Sequence, residues 1–211
     1  MKSYISHLEC TWCGKTYSVD ERMRLCQACG KVLYARYDLD TARLEVPRAV
    51  LADRPADMWR YFEMLPVKSE SNIVSLGEGM TPILAAPRLG AEVGSEDLLI
   101  KDEGQNPTGT FKSRGLSAAV SKAKELGVVG VTIPTAGNAG GALASYAARA
   151  GMSSHVFMPQ DASEANKKEV VHAGGELVLV DGLISEAGQQ SRKVAEELDM
   201  RLNLQVKCLK T

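Results

Sequence analysis

The sequence predicts an α/β protein in which a short cysteine-paired segment precedes a parallel sheet with helices on both faces, in three α/β/α layers. Two observations lead to this fold class. Four cysteines form two pairs within the first 30 residues. From residue 98 onward, short apolar runs alternate with segments of helical periodicity. Such strand–helix–strand units place their loops at the carboxyl edge of the sheet, where ligands bind.

Composition sets the broad class of the protein. The chain has 211 residues, of which 45% are apolar and 24% charged, and this balance is typical of a globular protein of one or two domains. A net charge of −1 gives no reason to expect a nucleic-acid partner. The chain has no apolar run of membrane-spanning length and no signal-peptide core near residue 1. We therefore expect a cytoplasmic protein that binds neither nucleic acid nor membrane.

The expected elements follow from apolar periodicity and from turn residues. Residues 37–95 contain several proline and glycine turns and one short helix, predicted around 56–64. The alternating part of the chain predicts strands at 98–101, 130–134, 155–158 and 176–180, and helices at 110–126, 138–150, 163–173 and 183–198. Gly151 and Gly174 follow two of these helices, as is common at helix ends.

The cysteine pairs predict a metal site. Cys10 and Cys13 form one Cys-x-x-Cys unit, Cys26 and Cys29 form another, and a glycine follows each unit. Four thiolates at this spacing are typical of a structural Zn²⁺ site, in which no coordination position stays open for catalysis. The alternatives are a site that has lost its metal and a redox-active cysteine pair. The fifth cysteine, Cys208, stands alone.

A lysine follows a turn rich in hydroxyl groups. Residues 106–115 read NPTGTFKSRG, and Lys112 lies where a helix is predicted to begin. The positive end of a helix dipole disfavours a protonated amine there, and an unprotonated amine attacks aldehydes to form a Schiff base. The alternative is a solvated surface lysine, which describes most lysines.

A second loop joins a strand directly to a helix. Residues 131–141 read VTIPTAGNAGG. Amides at a helix start bind anions such as carboxylates, and Asn138 can donate a hydrogen bond to a ligand. Alternatively, Gly137 and Gly140 only permit close helix–sheet packing while Asn138 caps the helix. The two loops together predict an amine nucleophile beside a cradle for an anion and a hydroxyl.

Five stretches of the chain carry a resemblance to a known family. They read WRYFEMLPV (59–67), SLGEGMTPIL (75–84), KDEGQNPTGTFKSRG (101–115), TAGNAGGALASYAARAGM (135–152) and HAGGELVLVDG (172–182). These stretches resemble the threonine synthases, which belong to the tryptophan-synthase-β-like, fold type II enzymes that use pyridoxal phosphate. The resemblance extends to about residue 204, and some threonine synthases also begin with a zinc ribbon.

The resemblance implies a division into a zinc ribbon (1–36), the opening of the large enzyme domain (37–117), the small α/β domain (118–204) and a divergent tail (205–211). It also implies that Lys112 binds the cofactor covalently and moves protons, and that Asn138 hydrogen-bonds the phenolic oxygen of the cofactor. The loop of Thr135, Ala136 and Gly137 would receive the substrate carboxylate. The implied lyase reaction converts O-phosphohomoserine and water to threonine and phosphate.

The sequence departs from the family pattern in several places. Ser113 occupies a position that often holds aspartate, and Ala136 and Ala139 occupy positions that often hold hydroxyl residues. The glycine-rich loop for the cofactor phosphate belongs to a C-terminal half that is not visible here, so a truncated enzyme or a fragment is expected. Uncovered apolar surface would then favour association, such as a homodimer. A threonine dehydratase, a β-replacement enzyme and a non-catalytic zinc-binding fragment remain alternatives.

Overall fold

The computed structural model describes residues 1–197. The chain begins with a three-stranded antiparallel sheet of β1 (Ile5–Cys10), β2 (Thr16–Tyr17) and β3 (Leu33–Tyr37), in the order β2-β1-β3. Helix α1 (Leu39–Glu45) follows, and the Asp38 side chain caps it by accepting a hydrogen bond from the Thr41 amide. This small sheet carries the four paired cysteines.

The next segment is built from short elements. Three 3₁₀ helices cover Arg48–Leu51, Met58–Met64 and Glu70–Asn72, so the short helix predicted around 56–64 is confirmed with 3₁₀ geometry. Strand β4 (Ile83–Ala85), helix α2 (Pro87–Val93) and strand β5 (Leu99–Lys101) follow.

The strand predicted at 98–101 does not join the parallel sheet. Strand β5 pairs antiparallel with β4 in a separate two-stranded sheet. Its three residues are exposed. A hydrogen bond from the Ala86 amide to the Leu98 carbonyl extends the pairing at one end. A three-residue apolar run does not reveal its pairing partner, because partner choice depends on tertiary contacts.

The remaining elements form the parallel unit, which spans α3 (Lys112–Glu125), β6 (Gly130–Pro134), α4 (Ala139–Ala150), β7 (Ser153–Pro159), α5 (Glu164–His172), β8 (Glu176–Val180) and α6 (Ile184–Glu197). The three strands are parallel in the order β6-β7-β8. Helices α4 and α5 cover one face of the sheet, α6 covers the other, and α3 packs on α4. The predicted α/β layering is therefore confirmed for this unit.

Helix α3 buries both apolar and hydroxyl side chains. Leu116, Val120 and Ala123 are buried as their spacing predicts. Ser117 and Ser121 are also fully buried, and the Ser121 hydroxyl accepts a 2.8 Å hydrogen bond from the Val74 amide. Because each buried hydroxyl has a partner, α3 is tied by hydrogen bonds to the loop that begins at residue 74.

The N-terminal sheet docks on the C-terminal end of α3. Nε and Nη2 of Arg22 donate to the Leu126 carbonyl at 3.2 and 3.0 Å, and Nη2 also reaches the Gly127 carbonyl at 3.1 Å. Lys68 Nζ lies 2.6 Å from an Asp20 carboxylate oxygen. The guanidinium of Arg22 satisfies carbonyls that a helix end leaves without partners.

Within residues 1–197, every helix is too short or too polar to cross a bilayer. The domain boundaries at 36/37 and 117/118 stay predictions, and the second lies inside the unbroken helix α3. Residue 198 of the last predicted helix, the tail at 205–211 and Cys208 lie outside the described residues.

Candidate active site and metal centre

The loop before Lys112 is held by a carboxylate. Glu103 accepts from Arg114 Nε at 2.6 Å, from the Thr81 hydroxyl at 2.7 Å and from Asn106 Nδ2 at 2.9 Å. The hydrogen bond from Arg114 is the main cause that lowers the pKa of Glu103 to about 2. The ion pair therefore ties the loop to the first turn of the helix that Lys112 begins.

Thr108 adopts a conformation that threonine rarely takes. Its φ is 62° and its ψ 17°, in the left-handed region that is unfavourable for a β-branched residue. Its hydroxyl lies 3.0 Å from the Ser113 hydroxyl. Backbone strain of this kind is common at ligand sites, where surrounding contacts hold the residue in place.

Lys112 is the first residue of α3 and is partly buried. Its Nζ lies 4.4 Å from the centroid of the half-exposed Phe111 ring. The contact is a cation–π interaction and gives the amine an apolar neighbour. The predicted helix start at residue 110 is therefore shifted by two residues, which places Lys112 in the first turn.

The Gly-Asn loop begins where β6 ends. The Thr135 hydroxyl accepts a 3.1 Å hydrogen bond from the Gly137 amide and so fixes the turn. Asn138 occupies the N-cap position of α4, is exposed, and makes no capping hydrogen bond with its side chain. The capping interpretation of Asn138 is therefore not supported.

The two glycines of this loop differ. A Cβ atom at Gly140 would lie 2.6 Å from Met158 Cε and 2.8 Å from Val156 Cγ1, so this glycine is needed for close packing on the sheet. At Gly137 the nearest atom would be Asn166 Nδ2 at 3.9 Å, which is an ordinary contact. The packing interpretation thus holds for Gly140 only, and Gly137 leaves open space for a ligand to approach the backbone.

The lysine and the Gly-Asn loop line one cleft of about 390 Å³. Lys112, Thr135, Gly137 and Asn138 all contribute to its wall, so the structure brings together four of the five predicted site residues. Ala136 is exposed and does not line the cleft. Helix α6 supplies a third wall with Ser185, Gly188 and Arg192, which sequence reasoning missed.

The chemistry of the cleft suits an anionic ligand. Lys112 and Arg192 are the charged residues in its lining within the described part of the chain. Thr135, Asn138 and Ser185 add neutral hydrogen-bonding groups. A cleft with cations and donors favours ligands that carry carboxylate or phosphate groups. No local sequence pattern predicted that Arg192 lines the cleft, because it lies 80 residues after Lys112 along the chain.

The four paired cysteines converge in a separate cluster. Their sulfur atoms all lie within 4.8 Å of one another. Cys10 Sγ is 3.4 Å from Cys29 Sγ, and Cys13 Sγ is 3.6 Å from Cys26 Sγ. Zn–S bonds of about 2.3 Å place tetrahedral sulfur atoms about 3.8 Å apart. The observed spacing therefore fits a single tetrahedral ion.

Two matching turns present these sulfur atoms. Gly14 and Gly30 both have a φ of 69°, which allows each chain segment to fold back after its second cysteine. A hydrogen bond from the Tyr17 hydroxyl is the main cause that lowers the pKa of Cys26 to about 6. Trp12, inside the first turn, is 78% exposed.

Comparison with known families gives a match over residues 74–205 to the profile described as "Pyridoxal-phosphate dependent enzyme". This region contains both loops of the cleft and covers more than half of the chain.

The chain belongs to the pyridoxal-phosphate dependent enzyme family.

Within this family, the curated relatives include threonine synthases. The chain is 40% identical to the threonine synthase of Methanocaldococcus jannaschii over 189 residues, which are 89% of the chain and 46% of the relative. It is 39% identical to the threonine synthase of Methanosarcina acetivorans over 72% of the chain and 37% of the relative. The chain therefore spans about half the length of the curated relatives that it matches.

Solved structures agree with the family fold. Maize serine racemase matches with a TM-score of 0.54 and 28% identity, over 60% of this chain and 39% of that one. Apo diaminopropionate ammonia lyase from Escherichia coli matches with a TM-score of 0.58 over 65% of this chain and 43% of that one, but at 18% identity it supports the fold alone. The parallel unit thus has the architecture of fold type II family members.

Proposed function

We propose that this chain carries the lysine half of a threonine synthase active site. In the proposed reaction, phosphate leaves the γ-carbon of O-phosphohomoserine and water adds at the β-carbon, which gives threonine. The observation that carries the proposal is the meeting of Lys112 with Thr135, Gly137 and Asn138 in one cleft. The 40% identity to a threonine synthase supports this choice of reaction within the family.

The cleft fits pyridoxal phosphate by the chemistry of its walls. A primary amine, an amide side chain without a capping partner and a backbone turn with room beside Gly137 lie together. Lys112 Nζ would hold the cofactor carbonyl carbon, and the Asn138 amide would hydrogen-bond its ring oxygen. When bound, the cofactor supplies an electron sink for the substrate carbons.

The same residues bind and orient the substrate. The amides at the start of α4 and the Thr135–Gly137 turn bind its carboxylate, because a helix start concentrates positive charge and unpaired N–H groups. Lys112 Nζ then moves protons between the substrate carbons. Helix α6 lines the cleft opposite the Gly-Asn loop with Ser185, Gly188 and Arg192.

Borohydride trapping tests the lysine. The purified chain is incubated with pyridoxal phosphate, reduced, digested and analysed by mass spectrometry. We expect one label per chain on Lys112, and its loss in Lys112→Ala. The matched control, Lys168→Ala, changes an exposed lysine of α5 and should leave the label unchanged. Labels scattered over surface lysines in equal yield would overturn the assignment of Lys112.

Substrate assays separate threonine synthesis from other reactions of the family. Phosphate release and threonine formation from O-phosphohomoserine would support the proposed activity. A second candidate is β-replacement, since O-ureido-L-serine synthase is a structural neighbour at 29% identity and a TM-score of 0.52, and Ala136 supplies no hydroxyl. Ammonia release from threonine, or turnover of serine derivatives without phosphate release, would favour these alternatives. Labelling of Lys112 without turnover of any of these compounds would favour a half-site that is not active alone.

We also propose that Cys10, Cys13, Cys26 and Cys29 bind a structural Zn²⁺ ion. The spacing of the sulfur atoms supports tetrahedral coordination, and the amides of Trp12 and Cys13 lie 3.4 and 3.5 Å from Cys10 Sγ, where they stabilise a thiolate. Metal analysis should find one zinc per chain. Recovery of zinc-free protein with all five cysteines titratable as thiols and an intact N-terminal sheet would contradict the proposal.

We also propose that the protein is a cytoplasmic homodimer. Reduced cysteine pairs suit the cytoplasm, and exposed apolar side chains on β4 and β5 favour a homodimer. Sedimentation velocity over a range of concentrations tests the homodimer, and fractionation of source cells tests the location.

A further inference from the structure

Glu78 is a carboxylate at the centre of the protein. Its side chain is 0% exposed, although it comes from the polar turn GEGMTP before β4. A buried carboxylate is costly unless hydrogen bonds compensate for lost hydration. The proposed chemistry of the cleft gives the Glu78 carboxylate no role.

Three side chains and one amide donate to this carboxylate. Oε1 accepts from Ser117 Oγ at 2.5 Å and from Trp59 Nε1 at 3.0 Å. Oε2 accepts from Tyr146 OH at 2.5 Å and from the Leu76 amide at 3.0 Å. All four acceptor positions of the carboxylate are therefore used, which compensates for its burial.

The protonation states of Glu78 and Tyr146 follow from these contacts. Burial raises the pKa of Glu78, but hydrogen bonds from Ser117, Tyr146 and Leu76 outweigh it and hold the pKa below its ordinary value. Burial and the hydrogen bond to Glu78 raise the pKa of Tyr146. At neutral pH the group is thus a carboxylate that accepts from a neutral phenol.

The donors come from the two helices that present the site. Ser117 lies in the second turn of α3, which begins at Lys112, and Tyr146 lies two turns into α4, which follows Asn138. The Glu78 carboxylate therefore links α3 and α4 through Ser117 and Tyr146.

We propose that Glu78 is a positioning residue that fixes the start of α3, with Lys112, against the start of α4, with Asn138. The carboxylate does this by accepting from Ser117 and Tyr146 at once. Its significance for catalysis rests on the proposed function, but the positional claim concerns the free chain and is tested without cofactor.

Hydrogen–deuterium exchange with peptide resolution tests the proposal on the full chain. We expect Glu78→Gln to speed exchange in residues 112–117 and 138–143 at least about tenfold, which corresponds to the loss of a hydrogen bond to a charged group. Exchange in β6 and β7 should change much less. The comparison variant Val180→Ala removes buried volume on the opposite face of the sheet, and it should speed exchange across the whole unit without favouring the two helix starts.

Two further variants keep the test decisive if Glu78→Gln does not fold. Ser117→Ala should loosen the start of α3 and spare α4, while Tyr146→Phe should loosen α4 and spare α3. Uniform acceleration in these variants, of the kind expected for Val180→Ala, would show that Glu78 supports general stability only and would overturn the proposal. Trapping of pyridoxal phosphate on Lys112 provides a separate readout, and we expect its yield per folded chain to fall in Glu78→Gln. Absence of trapping in the unmodified chain would count against the proposed function and leave the exchange result standing.

Discussion

The N-terminal sheet and the parallel unit reach stability by different routes. Few side chains of the first 37 residues are buried, and two of them are the cysteines Cys10 and Cys26. The parallel unit encloses a continuous apolar core between α3, α4, α5 and the sheet. A segment of about 40 residues cannot bury enough apolar surface to fold alone, so metal coordination commonly replaces a core. With the proposed zinc bound, the N-terminal sheet would depend on the ion, whereas the parallel unit depends on packing.

Loss of a cysteine should have the largest effect, and it should affect the N-terminal sheet alone. Cys26→Ser removes one of four ligands, and the apparent binding free energy of structural zinc is on the order of 10 kcal/mol. We expect residues 5–37 to lose protection from hydrogen exchange and the zinc content to fall to near zero. The parallel unit should keep its protection, and Ser18→Ala, at an exposed position directly after β2, is the control. Equal loss of protection in both regions would show that they are one cooperative unit.

A methyl group inside the parallel unit should have the next largest effect. Gly140→Ala places a Cβ atom against Met158 and Val156, and overpacking of this kind costs about 1–3 kcal/mol. Gly137→Ala adds the same methyl group where space is open, so its effect on stability should stay within about 0.5 kcal/mol. Urea unfolding of the two variants measures the difference. Similar losses of stability in both variants would mean that a cause other than packing makes the start of α4 intolerant of a side chain.

Acid should loosen the lysine loop rather than the core. The pKa of Glu103 is about 2 in the folded chain, below its ordinary value of 4.5. Because the folded value is lower, the ion pair with Arg114 stabilises the protein above about pH 4.5 and is lost as pH falls toward 2. Thermal unfolding between about pH 6 and 3 should show this slope, and Glu103→Gln should flatten part of it. An unchanged slope in the variant would assign the acid sensitivity to other carboxylates.

The contact between the two regions should contribute least. Arg22→Ala removes three hydrogen bonds to the Leu126 and Gly127 carbonyls, but the guanidinium is exposed. The expected loss is below about 1 kcal/mol. Arg22→Lys keeps the charge and should recover part of it, as measured by the unfolding temperature. A loss of several kcal/mol would show that docking, more than metal, holds the N-terminal sheet.

Much of the fold was predictable because the signals were local. The strands Gly130–Pro134 and Glu176–Val180 have the predicted bounds, since a glycine and a proline bracket the first apolar run and a glycine and an aspartate bracket the second. The cysteine spacing predicted the cluster because two identical turns need only local residues. Two features were not predictable in this way. The pairing of β5 with β4 depends on contacts made after folding, and the contribution of Arg192 to the cleft depends on how α6 crosses the sheet.

Glu78 shows the limit of residue type as a guide. A glutamate between two glycines normally indicates an exposed turn, yet three side-chain donors from distant parts of the chain, together with the nearby Leu76 amide, make its burial favourable. Gly79 contributes through its φ of 114°, and a Cβ atom there would lie 2.5 Å from the Met58 amide nitrogen. The predicted residues of the site were therefore those that face the ligand, and the groups that hold them in place required the structure.

The chain contains two tryptophans, one in the N-terminal cysteine region and one in the 3₁₀ helix Met58–Met64, which is hydrogen-bonded to α3 of the parallel unit. Trp12 is 78% exposed inside the first cysteine turn, whereas Trp59 is 4% exposed and donates to Glu78. Exposed indoles emit at longer wavelengths than buried ones and are quenched readily by soluble iodide. The intrinsic fluorescence of the unmodified protein therefore separates into two signals. A single titration with chelator or denaturant can follow the cysteine cluster and the interior carboxylate at the same time, without any added label.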